Sequence, residues 1–114
     1  MKENIDVVMD ACIHLEMWDK ALEYGLQSLG PYREFYPEYH PAVGVQCMRV
    51  AKLQLFLQQL PEAQKMLQQA HHIINITHGA DHPLMRTLKE MLFNCEEEMR
   101  VKRMESLNEA EDID

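Results

Sequence analysis

Residues 43–81 read VGVQCMRVAKLQLFLQQLPEAQKMLQQAHHIINITHGAD. Apolar residues at Val43, Cys47, Met48, Val50, Ala51, Leu55 and Leu57 recur at three- and four-residue steps, as on one face of a helix. Ala63, Met66, Leu67, Ala70, Ile73, Ile74 and Thr77 form a second such stripe. Gln58–Pro61 between them provides a short turn, and Gly79 a C-terminal stop. The stretch is therefore an antiparallel helix pair. A His-Pro step stands before it, His40-Pro41, and another after it, His82-Pro83. The interval from His40 to His82 sets a period. A fixed period of roughly 20–50 residues marks a helical solenoid built from one repeated unit.

Outward from this unit, Ile5, Val8, Met9, Cys12, Ile13 and Leu15 predict a short first helix. Trp18, Ala21, Leu22, Gly25, Ser28, Leu29, Tyr32, Phe35 and Tyr36 predict a second, with Asp19 available as its N-cap and Gly30-Pro31 as a kink or break. Pro41 suits the first position of the third helix. Pro83 opens a last helix with Leu84, Leu88, Met91, Leu92, Cys95 and Met99 inward, followed by Glu96–Arg100 and Glu98–Lys102 as surface pairs. The abrupt start suggests a segment of a longer helical array. The expectation is an all-α domain over residues 1–104, and an unstructured acidic tail over 105–114.

Composition narrows the function classes. Of 114 residues, 46% are hydrophobic and 26% charged, as in ordinary globular proteins. The net charge is −8, and the five acidic residues after Met104 contribute most of it. An acidic chain without a basic stripe argues against nucleic acid or an anionic membrane as partner. No apolar run is long enough to cross a bilayer, and no signal peptide is expected. Cys12, Cys47 and Cys95 lie far apart inside helical patterns, which reads as buried thiols in a reducing compartment. Asn75-Ile76-Thr77 is a formal glycosylation acceptor without weight in such a chain.

Helices stack closely only where small residues sit at the crossing. Ala51, Ala63 and Ala70 have the spacing of the small residues in a tetratricopeptide (TPR) repeat, and their equivalents one period earlier are Met9, Ala21 and Ser28. One period after Ala51 stands the bulky Phe93, tolerable on a terminal helix. The fold class is thus TPR-like antiparallel helix pairs in a short superhelical array of about five helices, with longer units than the usual repeat of about 34 residues.

Two segments, PYREFYPEYHPAVGVQCMRVAKLQL (Pro31–Leu55) and ITHGADHP (Ile76–Pro83), resemble the C-terminal domain of the SET-and-MYND-domain (SMYD) protein-lysine methyltransferases. EMWDKALEYG (Glu16–Gly25) fits the preceding helix, and the string Gly44–Leu55 is the most specific part. The acidic end after Met99 departs from the pattern. The resemblance implies a helical domain that walls the substrate cleft, packs on the catalytic SET domain, influences activity and binds the acidic tail of the cytosolic heat-shock chaperone. It implies cytoplasmic and nuclear localisation. The S-adenosylmethionine and zinc of that family belong to SET and MYND modules whose motifs are missing from this sequence, so no cofactor and no catalytic residue is expected in this chain. The alternative is a TPR scaffold or cargo adaptor, since units of this length with Asp-His-Pro steps also occur in kinesin light chains.

Gln46, Arg49, Lys52 and Phe56 project to the side of their helix opposite the apolar arc, at about 100° per residue. In a TPR array that side lines the concave groove, where Gln46, Arg49 and Lys52 could hold a peptide carboxylate, with Arg86 and Lys89 extending the patch. The plain alternative is a solvated helix face. By resemblance, Tyr32 and His40 flank the substrate channel; alternatively Tyr32 is core and His40 caps the next helix. His71, His72, His78 and His82 lack the i, i+4 spacing of a helical metal site, so no metal is expected. The nine methionines read as core filler. Nothing resembles a nucleophile–base arrangement. Both ends of so short an array are expected to expose apolar faces, and hence to self-associate.

Overall fold

The computed structural model describes residues 2–112. Five helices account for the described residues, without a strand: α1 (Lys2–His14), α2 (Trp18–Phe35), α3 (Pro41–Phe56), α4 (Leu60–His78) and α5 (Pro83–Asp112). Each packs on the next in chain order, so the core is a row of helix–helix seams rather than a central cluster. This is the TPR-like array of paired helices that the repeat period predicts.

The period is visible in the backbone itself. Glu16 and Gln58, one period apart, are the two non-glycine residues with positive φ, +59° and +64°, among the described residues. Each ends a helix in the same pair of hydrogen bonds. Met17 N–H donates to Cys12 O and Gln59 N–H to Gln54 O, both at 2.8 Å; Glu16 N–H donates to Ile13 O at 3.0 Å and Gln58 N–H to Leu55 O at 3.1 Å. That is a Schellman turn, normally built with glycine at the left-handed position. The two His-Pro steps are likewise one device. His40 Nδ1 accepts from Ala42 N–H at 3.0 Å, and His82 Nδ1 from Leu84 N–H at 3.1 Å, so each His caps a helix whose first residue is proline.

The small-residue positions do what close stacking requires. Met9, Ala21, Ser28, Ala51, Ala63 and Ala70 are all fully buried. Gly44 marks the tightest approach: a Cβ there would lie 2.9 Å from Ile74 Cδ1 and 3.2 Å from Ile73 Cγ2. Between α2 and α3 a polar seam is satisfied internally. Gln46 Nε2 donates to Ser28 Oγ at 2.8 Å, and Ser28 Oγ donates to Gly25 O at 2.6 Å.

Three local expectations need correction. α2 runs unbroken through Gly30-Pro31. A proline ring normally clashes with the Cβ of the residue before it; glycine has none, and Gly30 faces solvent with open space around it. The N-cap of α2 is Met17, which makes no side-chain cap bond, and Asp19 sits inside the first turn. α5 remains helical through Asp112 where an unstructured tail is expected from residue 105; residues 113 and 114 lie outside the described residues. The surface pairs on α5 also differ. Arg100 meets Glu97 at 2.6 Å, and Lys102 bonds Gln58 Oε1, tying α5 to the α3–α4 turn.

The two outer faces are unlike. α3 turns Gly44, Cys47 and Ala51 into the array, all buried, and one period later α5 has Arg86, Lys89 and Phe93 at those places, all exposed. α3 also buries Val50 and Leu53, and one period earlier α1 exposes Val8 and Ala11 there. Apolar side chains are exposed at both ends: Val7, Val8 and Leu15 on or just after α1, and Val101, Met104 and Leu107 on α5, where Phe93 stands among charged residues.

Candidate functional site

The residues expected to form a cationic peptide site are separated by the fold. Gln46 is only 1% exposed and belongs to the core, its amide shared with Ser28 and lying 3.6 Å from Met9 Sδ. The reading of Gln46 as a groove residue is wrong, because α1 covers the side of α3 that a helical projection leaves open. Arg49 sits at the edge of that cover. Its Nη1 donates to Gln46 Oε1 at 3.2 Å and its Nη2 pairs with Asp10 of α1. Lys52, one turn further on, is exposed and makes no ion pair among the described residues. Arg86 and Lys89 are exposed on α5 at the places of Gly44 and Cys47, not at those of Arg49 and Lys52. In the repeat register they lie on the outer end of the array rather than on the Arg49–Lys52 side.

Tyr32 and His40 both have structural work. Tyr32 is buried, and its hydroxyl donates to Asp6 Oδ2 at 2.8 Å. Burial first, and then the Asp6 carboxylate, push its phenol well above the ordinary tyrosine range. His40 caps α3 while its ring stacks on Tyr36 at 4.4 Å. Phe35 and Tyr39 are exposed beside them, Phe35 edge-on to Tyr36 at 5.0 Å and Tyr39 edge-on to His72 at 5.7 Å.

Sequence reasoning missed the apolar surface beside Arg49 and Lys52. Arg49, Lys52, Leu53 and Phe56 of α3 enclose, with Ile13 and Trp18 at the α1–α2 turn, a pocket of about 330 Å³. The rings of Trp18 and Phe56 meet at 4.8 Å, tilted by 50°. Phe56, two helical turns on from Arg49, was the available signal; the contribution of Trp18 depends on how the Schellman turn at Glu16 aims α2. A larger pocket of about 650 Å³ lies between Arg33, Tyr39, Val43, Gln69, His72 and Ile73. There the guanidinium is already bonded to Gln69 Oε1 at 2.7 Å, and Glu38 sits in the lining.

The residues do not fit a zinc ion or a nucleotide-like cofactor. The three thiols are buried singly in α1, α3 and α5; burial pushes those of Cys47 and Cys95 up, away from the thiolate a metal would need. The rings of His78 and His82 lie 4.3 Å apart, but His82 Nδ1 is spent on its cap and no third ligand joins them among the described residues. Buried acceptors without a partner, Asp6 Oδ1 and Gln54 Oε1, are isolated atoms on different helices rather than a cradle.

Comparison with known proteins finds relatives along most of this sequence. The chain is 44% identical over 96 residues to the histone-lysine N-methyltransferase SMYD3 of Mus musculus, and equally to that of Homo sapiens, covering 84% of this chain. It is 32% identical over 84 residues to the N-lysine methyltransferase SMYD2 of Gallus gallus, covering 74%. The chain is a SMYD homologue. No protein-family model matches it. This homologue spans about a fifth of the length of the curated relatives it matches, 22% for SMYD3 and 19% for SMYD2. At 84% and 74% of this chain, the similarity extends well beyond Pro31–Leu55.

Proposed function

We propose that this chain is the helical C-terminal interaction domain of a SMYD-type lysine methyltransferase. In this reading the parent enzyme uses S-adenosylmethionine and zinc in modules outside these residues. The domain walls its substrate cleft with the Phe35–Tyr39 region, and receives acidic peptides, such as the cytosolic chaperone's C-terminal tail, on the Arg49–Lys52 side. The observation that carries the peptide reading is an uncommitted cation, Lys52, beside a second cation at the mouth of an apolar pocket. Charge-assisted bonds to a carboxylate are the strong ones, and apolar surface beside them supplies the desolvation they need. A scaffold unrelated to methyl transfer has no comparable support, given the similarity to both SMYD3 and SMYD2.

The test is calorimetric titration of an acidic peptide with a free C-terminal carboxylate into the wild-type chain and the Arg49→Gln/Lys52→Gln double variant. A several-fold weakening is expected, since ion pairs on side chains this exposed are worth about 0.2–1 kcal/mol each. Equal affinity for both proteins refutes the assignment.

A further inference from the structure

The Arg49 guanidinium already holds a carboxylate, that of Asp10. Asp10 stands on α1 and its side chain is 64% exposed, whereas Arg49 is only 32% exposed and is fixed from below by Gln46 Oε1. The guanidinium is thus rigid and the carboxylate on it is the looser partner. Adjacent to this pair is the pocket walled by Ile13, Trp18, Leu53 and Phe56, with Lys52 at its edge. At about 330 Å³ the pocket lies at the small end of ligand sites, suited to one aliphatic side chain rather than a cofactor.

Resting on the peptide reading above, we infer that the site is bipartite and self-occupied. It selects a peptide end in which an aliphatic side chain stands next to carboxylates, and Asp10 is an internal competitor that the ligand displaces from Arg49. The aliphatic group enters the pocket against Ile13, Leu53 and the touching rings of Trp18 and Phe56; one carboxylate meets Lys52, and another exchanges with Asp10 on Arg49. Exchange leaves Asp10 in water at little cost, because it is already solvated and an exposed ion pair contributes little. A purely acidic peptide fills the charged half and leaves the apolar half empty.

Two peptides with free C-termini, acetyl-Leu-Glu-Asp and acetyl-Ser-Glu-Asp, serve as probes, titrated into the full chain and into Asp10→Asn, Phe56→Ala and Lys52→Gln. These positions are exposed, so the fold is retained, and helicity by circular dichroism checks this. The leucine peptide should bind five- to tenfold more tightly than the serine peptide, and Phe56→Ala should erase that preference. Asp10→Asn should tighten both peptides about two- to fivefold. If Lys52→Gln weakens both peptides but leucine confers no preference, or Asp10→Asn does not tighten binding, the bipartite, self-occupied site is wrong while the peptide reading stands. If neither peptide binds any variant, both fall.

Discussion

Substituting Gly44→Ala sets two well-known effects against each other at one atom. Alanine is the better helix former, by about 1 kcal/mol over glycine in a helix interior. The added Cβ, however, would lie 2.9 Å from Ile74 Cδ1, 3.1 Å from Ile74 Cγ1 and 3.2 Å from Ile73 Cγ2. Ile74 is fully buried and Ile73 nearly so, so neither can swing into solvent, and α3 and α4 must move apart along their seam. Forcing an extra carbon into a filled core costs about 1–3 kcal/mol and more where several contacts tighten together. Taking the upper part of that range, the net effect is a loss of about 1–2 kcal/mol, or about 3–8 °C in melting temperature for a domain of this size. Thermal unfolding by circular dichroism reads this directly. Ile74→Val removes the nearest atom, at its own cost of about 0.5–1.5 kcal/mol. In that background Gly44→Ala should therefore be less damaging than in the wild type. A melting temperature raised by Gly44→Ala, or a double variant whose losses simply add, would show that the seam is not closed by Gly44.

Glu16→Gly should stabilise the chain by about 0.5–1 kcal/mol, since an L-residue with a side chain is held at positive φ. Gln58→Gly should gain less, because the Gln58 side chain also accepts from Lys102; urea unfolding of each variant measures the difference. Tyr32 gives a pH signature. Its phenol is held above the unfolded value of 10.0 by burial and by Asp6, so its stabilising contribution is full below that pH and is lost as pH rises through the higher folded value. Stability should accordingly decline above that unfolded value in the wild type, and Tyr32→Phe should flatten the decline; parallel curves for the two proteins would contradict it.

What the sequence discloses about this molecule is mostly what repeats. The His-Pro steps, the alanine spacing and the helical stripes recur because each unit solves the same packing problem, and they are legible without coordinates. The misreadings fall where one residue depends on a neighbour that a helical projection does not contain. Gln46 looks like surface because it is polar, yet Ser28 satisfies it and α1 covers it. Pro31 looks like a break because proline usually is one, yet α2 continues through it, and the glycine before it removes the clash with a preceding Cβ, one of the penalties. Arg49 looks available because Asp10, its partner, lies far off in the chain on another helix. Met85, fully buried on α5, is absent from the predicted stripe because α4 covers a wider arc of α5 than that stripe spans. The pocket at Trp18 and Phe56 depends on the aim of a turn, which residue spacing does not encode.

The matched turns at Glu16 and Gln58 also make the chain a splice-ready modular cassette. Residues 17–58 begin just after one such turn and end at the other, so a second copy of that segment inserted after Gln58 would enter through the same backbone geometry it leaves by. Its first helix would meet α3 through the small residues Ala21 and Ser28, as α4 does through Ala63 and Ala70. Its second helix would present α4 with the Gly44 face. The array could thus be lengthened from within, with α1 and α5 left at its two ends. Each added unit would carry its own copies of Arg49, Lys52 and Phe56, so the number of such cation-edged pockets could be set by counting turns.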